Sequence, residues 1–369
     1  MKKLSTVLLI VMLLSLCGCM PQNTEIKYRL VIEGVGIDLD TKTDEFIVTV
    51  QTAAAQTGEE KQGSKCYTAR GKTVAGAVSA LTSQTGRYPL YSQNRVILLG
   101  SSVSGENAVR ALDFFVREYT SRPDVLVVAA TGSAEKMLTL SEDENGIAGL
   151  LENEAELSRD TSSALCTELY EYVNLSLEEG SEVVLPLAEI ISVKDKSVKL
   201  SGSAVASSEN GIRLSEAETF FLLIATDKAE KGTMRVGGSA LEIMKINTKI
   251  SSELSEGIPV MSLDVKMTVD VIEYDSKNFT DLNENAVRKI EADAEAYIAS
   301  GINELCERML KAEKCDVFRL CKRLSLAEGT EYGSNQWRAM LPSVAVRVNA
   351  DVKVGRIGQM TVSKQIEKK

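Results

Sequence analysis

Two runs near the end of the chain alternate apolar and polar residues with a period of two. The first is Met261, Leu263, Val265, Met267, Val269 and Val271; the second is Val344, Val346, Val348, Ala350, Val352 and Val354. Successive side chains of a strand point to opposite faces, so each run predicts a strand with one buried face. Between them, Val287, Ile290, Ala294, Tyr297, Leu305 and Met309 recur at helical spacing and predict an amphipathic helix over 283–311. A half-buried sheet needs a cover, and this helix is the natural one. The expected fold class is therefore α+β and multi-domain, with mixed or antiparallel sheets each packed with helices and a C-terminal sheet crossed by a long amphipathic helix.

The 369 residues exceed what one core holds, and two or three domains are expected. The character of the chain changes between Ser192 and Ser201. The expected division is a signal segment 1–18, an N-terminal α/β region 19–195 in which 147–187 is able to fold separately, and a C-terminal α+β domain 196–369. Upstream, Tyr28–Asp38, Glu45–Ala53, Arg95–Gly100 and Val125–Ala130 read as strands. Gly58–Ser64 reads as a polar loop. Val74, Ala77, Val78 and Leu81 have helical spacing. Ser104 is expected to cap a helix with a stripe of Val109, Leu112, Phe115 and Val116, and Ser133 to cap the next. Met234–Ile250 reads as one long strand or a strand with a bulge at Gly237-Gly238.

The chain contains no histidine. That excludes Ser-His-Asp triads, Cys-His dyads, histidine metal sites and imidazole acid–base chemistry. The net charge of −10 opposes nucleic-acid binding, which needs clustered Lys and Arg. Aromatic residues are 5% of the chain, so the cores must be aliphatic.

The amino terminus has a different logic. Lys2 and Lys3 precede an apolar stretch, Leu4 to Leu16, of the length of a signal-peptide core and short for a membrane span. It runs into Leu16-Cys17-Gly18-Cys19, which resembles the bacterial lipobox. Cys19 is the expected lipid attachment site, because small residues precede it whereas bulky Leu16 precedes Cys17. Two or three acyl chains, at about 0.8 kcal/mol per buried methylene, hold a protein stably on a bilayer. Removing Lys2 and Lys3 takes the net charge from −10 to −12. An anionic surface repels that sum, so the lipid must do the tethering.

Five further cysteines, Cys66, Cys166, Cys306, Cys315 and Cys321, match no CxxC spacing, and an odd number cannot pair completely. Free thiols are expected, with Cys315–Cys321 and Cys306–Cys315 bridges as the open alternatives; no metal and no cofactor is expected. Ser133-Ala-Glu-Lys136 matches the SxxK pattern of penicillin-recognising hydrolases, but the companion motifs are absent and a helix cap explains the serine. Gly34-Val-Gly36 lacks the third glycine of a dinucleotide loop and reads as close backbone packing. Asp38, Asp40 and Asp44 have partial calcium-loop spacing, yet Lys42 occupies a ligand position and a hairpin turn is expected. Glu142-Asp-Glu144 reads as a solvated loop.

Several segments taken together resemble one family. Val35-Gly-Ile-Asp38 follows the lipobox. Asn94-Arg-Val-Ile-Leu-Leu-Gly100 and Phe114-Phe-Val-Arg-Glu-Tyr-Thr-Ser-Arg-Pro123 come next, and Val125–Leu138 continues the pattern. Ser201-Gly-Ser-Ala-Val205 through Thr219, then Cys315-Asp-Val-Phe318 and Trp337, extend it over nearly the whole mature chain. Their order and spacing are similar to those of the Ger(x)C family of spore germination lipoproteins. The chain departs from the family in having Met20-Pro21 after the lipidated cysteine and Asp316-Val-Phe-Arg-Leu-Cys321 in place of "DifgfG". The resemblance implies a non-enzymatic C subunit of a germinant receptor, partnered by integral-membrane A and B subunits at the outer surface of the spore inner membrane. Which germinant is sensed, and whether this subunit touches a small-molecule ligand, does not follow from it. Two other readings stand beside it: a solute-binding lipoprotein that captures a small nutrient, and an exported hydrolase built on Ser133 and Lys136.

Overall fold

The computed structural model describes residues 28–57, 60–143, 145–206, 211–275 and 282–357. Cys19 and the signal segment 1–18 lie outside the described residues. In chain order the elements are β1 (Arg29–Asp40), β2 (Glu45–Thr52), β3 (Ala55–Thr57), β4 (Glu60–Gln62), β5 (Cys66–Gly71), α1 (Val74–Thr85), β6 (Tyr88–Leu90), β7 (Val96–Leu99), α2 (Glu106–Arg117), β8 (Leu126–Ala130), α3 (Ala134–Leu138), α4 (Gly146–Thr161) and α5 (Leu169–Ser176). They continue with β9 (Val184–Ser192), β10 (Ser197–Val205), β11 (Arg213–Leu214), α6 (Glu216–Ala225), β12 (Gly232–Val236), β13 (Ser239–Ser255), β14 (Ile258–Tyr274), α7 (Glu284–Cys306), α8 (Leu320–Glu328), α9 (Ser334–Met340) and β15 (Ala345–Arg356).

The first sheet has the order β11-β10-β9-β8-β7-β1-β2-β5, with β6 beside the start of β1. Its centre, β9-β8-β7-β1, is parallel and its flanks are antiparallel. β7 shows why the centre is buried on both faces. Ile97 and Leu99 join Leu81, Leu112 and Phe115 under α1 and α2, whereas Val96 and Leu98 join Met137, Leu138, Ile147 and Leu151 under α3 and α4. Gly34 and Gly36 let those last two helices approach: a Cβ on Gly34 would stand 2.7 Å from Ala148 Cβ, and one on Gly36 2.9 Å from Leu138 Cδ1. Close packing, as expected, is their role.

The second sheet is mixed. β12-β13-β14 is antiparallel and β15 runs parallel to β14. α7 lies across it, burying Ile290, Ala294, Ile298, Ile302 and Leu305. Each large side chain so buried contributes on the order of 2 kcal/mol. β15 is an edge strand, and α7 covers part of that edge with polar atoms: Val352 N–H donates to Glu295 Oε1 at 3.1 Å and Val354 N–H to Glu291 Oε1 at 3.0 Å. The two bodies share a core, because Leu165, Val184, Val205 and Leu214 pack into the same cluster as Phe221, Leu263 and Ile302. The change of character between 192 and 201 falls at the β9–β10 hairpin, whose strands pair from Ser197↔Ser192 to Val205↔Val184 inside the first sheet.

Four local expectations are corrected. The buried stripe of α2 is Ala108, Ala111, Leu112 and Phe115, while Val109 and Val116 are exposed. Two alanines bring this helix close to the sheet, and the larger valines face out. Its N-cap is Gly105, not Ser104. Gly237 and Gly238, at φ +55° and +83°, turn a hairpin between β12 and β13 and do not form a bulge in one strand. Within the segment expected as a polar loop, residues 60–62 pair as β4 with β3. Cys66, Cys166, Cys306, Cys315 and Cys321 are free thiols.

Candidate functional site

Two buried carboxylates organise the places where the sequence motifs meet. Asp38 stands two residues before the end of β1 and is 6% exposed. Its Oδ1 accepts from Ala134 N–H at 2.9 Å, and its Oδ2 accepts from Glu135 N–H at 2.9 Å and from the Ser133 hydroxyl at 3.0 Å. Asp38 thus takes up donors left unpaired at the start of α3. Ser133 Oγ in turn accepts from Lys136 N–H at 3.3 Å. The serine is a helix cap whose proton points at a carboxylate, and the Lys136 side chain is exposed. Gly100 makes room for this arrangement, since a Cβ there would overlap Asp38 Oδ1.

Asp316 is the second carboxylate and is 1% exposed. Its Oδ1 accepts from Phe318 N–H at 3.2 Å and Leu320 N–H at 3.0 Å. Its Oδ2 accepts from Cys321 N–H at 2.8 Å and Trp337 Nε1–H at 3.0 Å. Burial pushes its carboxyl up to about 6, against the pull of those donors. Its own carbonyl accepts from Glu182 N–H at 3.0 Å, which ties it to the first sheet.

The turn after α5 seats on this node. Arg319 Nε donates to Glu178 Oε2 at 2.9 Å, Ser334 N–H donates to Glu179 Oε2 at 3.1 Å, and Arg338 pairs with Glu182 at 3.3 Å. Gly180, at φ +72°, lies against Trp337 and Cys321; a Cβ there would stand 2.7 Å from Trp337 Cδ1 and 2.8 Å from Cys321 Sγ. Only glycine satisfies both the left-handed backbone and the contact.

Beside the node a cleft of about 550 Å³ separates α5 from α6 and the start of α8. Leu222, Val317 and Phe318 form its apolar lining, with Tyr170 and Asn174 on the α5 side. Lys228 pairs with Glu171 at 3.6 Å. Arg323 is different: its Nε is buried without a hydrogen-bond partner. Burial and the neighbouring Arg319 lower its affinity for its proton, although a guanidinium stays charged at neutral pH. The thiols nearby are protonated, since burial raises both Cys315 and Cys321 to about 11.

Comparison with known proteins divides the chain at the β9–β10 hairpin, inside the first sheet. The family model described as spore germination protein N-terminal domain matches residues 22–190, and the one described as spore germination B3/GerAC like, C-terminal, matches residues 201–358. The chain belongs to the Ger(x)C family. Family membership gives it a role in spore germination as a germinant-receptor subunit, and this is not a known enzyme family. Spore germination protein B3 of Bacillus subtilis (strain 168) is 25% identical over 333 residues, covering 83% of this chain and 84% of the relative. The crystal structure of the GerBC protein superposes with a TM-score of 0.53 at 18% identity, covering 87% of this chain and 96% of that one, and so shares its fold.

The family motifs can now be placed. Asp38 and Asp316 cap helices, Gly100 accommodates the first carboxylate, and Trp337 donates to the second. Sequence reading identified these positions by resemblance and missed what joins them. Asp38 is not part of a calcium loop; its oxygens are taken up by α3. Among the described residues no group of acidic or thiol side chains is placed to hold a metal. No helix among them is long and apolar enough to cross a membrane.

Proposed function

We propose that this chain is the lipid-anchored C subunit of a nutrient germinant receptor. It is tethered through Cys19 at the outer surface of the spore inner membrane and acts without catalysis, through contacts with the integral-membrane A and B subunits. The observation that carries this reading is the match of both halves of the chain, in order, to the two domains of the family. The lipobox before the first domain supports the tether. Tethering raises the local concentration of the subunit beside its partners, so modest interfaces suffice. Ser133 supports the non-catalytic reading, because its hydroxyl oxygen and the Asp38 carboxylate it donates to both serve as acceptors for the backbone N–H groups at the start of α3. The test is germination of spores carrying Cys19→Ala in each nutrient in turn. A reduced response to one germinant class with the others kept is expected; a full response to all overturns the tether. Multi-pass proteins co-purifying with the detergent-extracted chain would support the partner reading, and their consistent absence would count against it.

One observation favours a second reading, capture of a small solute. The cleft beside Asp316 holds the unpartnered Arg323 Nε, and a half-buried cation with a free donor attracts a carboxylate. Equilibrium dialysis of the chain against common amino acids and simple carboxylates tests it. Retention lost in Arg323→Ala supports capture, and equal partition of every probe removes it.

A further inference from the structure

The first described residue, Tyr28, enters at one end of the first sheet. β1 begins there, β2 ends there, and β5 begins there, because the three strands run antiparallel in the order β1-β2-β5. β6 lies parallel beside the start of β1, with Arg29 opposite Tyr88. This end of the sheet carries a depression of about 620 Å³. Three cations line it: Arg29 from β1, Lys65 from the loop before β5, and Arg87 from the turn after α1. Lys65 is held opposite the end of β2 by Thr52 N–H donating to Lys65 O at 2.9 Å, and Arg87 N–H donates to Thr85 Oγ1 at 3.3 Å. Among the described residues no carboxylate lines the depression. Among the described residues none of the three cations has an ion-pair partner, whereas most arginines of the chain do. In a protein of net charge −10, three cations lining a hollow that no described carboxylate enters is a local reversal of sign.

The place of this hollow matters as much as its charge. Cys19 stands nine residues before Tyr28, and nine residues reach at most ~30 Å when fully extended. The end of the sheet that carries the hollow is therefore the end that a tether at Cys19 holds nearest a bilayer. Tyr28 and Tyr88 are about half exposed on the same end, and tyrosine is favoured at the level of lipid headgroups. Screening then decides between the body's net charge and this patch. At physiological salt the Debye length is about 8 Å, so acidic groups farther away are largely hidden from the surface while cations at the contact are not.

We propose that this end of the first sheet is a bilayer-docking face, on which Arg29, Lys65 and Arg87 receive the phosphate groups of anionic lipid headgroups. The proposal rests on the anchoring at Cys19 proposed above and adds an orientation to it. The net repulsion expected from composition acts on a chain free to tumble; a tethered chain presents its basic end and turns its acidic body away. The docked surface is ionic and shallow, so it orients the subunit and leaves the holding to the acyl chains.

Hydrogen exchange on the full chain in lipid vesicles tests this. Vesicles of phosphatidylcholine alone are compared with vesicles containing phosphatidylglycerol, and backbone exchange is read over residues 28–31, 63–67 and 84–90. Exchange there is expected to slow on the order of tenfold in the anionic vesicles, from an attraction of about one surface cation's worth or more. The triple change Arg29→Gln, Lys65→Gln, Arg87→Gln should abolish the difference. Lys245→Gln, Lys249→Gln, Lys266→Gln, which neutralises three exposed cations of the second sheet, should preserve it. Equal exchange in the two vesicles, or a difference that survives the first triple change, overturns the proposal. So does inorganic phosphate reproducing the protection in phosphatidylcholine vesicles, which would make the hollow a site for a soluble anion. Vesicle flotation and the mass of the amino-terminal peptide are read in the same samples. A chain that carries acyl mass and floats with both lipids, without selective protection, keeps its anchor and loses the docking face. A chain without acyl mass that floats only with anionic vesicles keeps the face and loses the anchor.

Discussion

Trp337 donates its indole N–H to the buried carboxylate of Asp316 at 3.0 Å, and the turn at Gly180 closes over the pair. A tryptophan near the end of the chain, an aspartate between two helices and a glycine from the first body therefore form one node. The node fixes how the two bodies meet, because Asp316 is held by backbone donors from its own loop and its carbonyl is held by Glu182.

The first prediction concerns pH. Asp316 titrates at about 6 in the folded chain against an ordinary 3.8. The folded state therefore binds this proton more tightly than the unfolded state does. The group's contribution to stability is largest at acid pH and is lost as pH rises from about 4 through about 6. Asp316→Asn keeps the site neutral at every pH and so removes this dependence. Its cost in urea unfolding should be greater at pH 4.5 than at pH 7.5, by about 2 kcal/mol. A cost that grows with pH would mean that the charged carboxylate is the favoured form in the fold.

Gly180→Ala should loosen the same node. The added methyl needs a left-handed backbone and meets both Trp337 and Cys321 at under 3 Å. A loss of about 2–4 kcal/mol is expected from strain and overpacking together. Near-ultraviolet circular dichroism should change as well, because Trp337 is the chain's one tryptophan. Gly329→Ala is the control: its φ is also positive, at +65°, but nothing lies within 4 Å of the added atom. Its cost should be the backbone part alone, about 1 kcal/mol.

Asp38 and Ser133 separate capping from catalysis. Ser133→Ala removes one cap acceptor and should cost about 1 kcal/mol, with germination unchanged. Asp38→Ala leaves Ala134 N–H and Glu135 N–H without their acceptor in a buried place and should cost about 2–4 kcal/mol. A germination defect in Ser133→Ala at wild-type stability would reopen the hydrolase reading.

Local patterns were legible in the sequence where a side chain acts within its own element. The alternation of Met261 to Val271 appears as the buried face of β14, and Ser133 caps α3. Long-range roles were not legible. Asp316 and Trp337 are 21 residues apart, and Asp38 reaches Ala134 across 96 positions, so no window of sequence contains either contact. The stripe of α2 was misread because Ala108 and Ala111 bury little area yet sit closest to the sheet, while the more apolar Val109 and Val116 stay in water. Gly237-Gly238 was ambiguous because a bulge and a hairpin both demand positive φ; pairing of β12 with β13 is what distinguishes them. The basic hollow was invisible because its cations come from three separate segments, and net charge averages them away.

The last prediction follows from the edge of the second sheet. An edge strand offers unpaired N–H groups to other chains, and natural proteins blunt such edges. Here Glu291 and Glu295, one turn apart on α7, reach over β15 and accept from Val354 and Val352. Carboxylates at this place satisfy the donors and also repel a second acidic chain. The double change Glu291→Ala, Glu295→Ala should uncover both donors, lower stability by about 2 kcal/mol and promote self-association. Sedimentation velocity should show concentration-dependent oligomers for this variant at neutral pH. Glu304→Ala, an exposed change on the same helix, should remain as dispersed as the parent. Glu291→Gln, Glu295→Gln retains acceptors without charge: if it stays dispersed, hydrogen bonding is what closes the edge, and if it associates, the negative charge is what keeps other chains away.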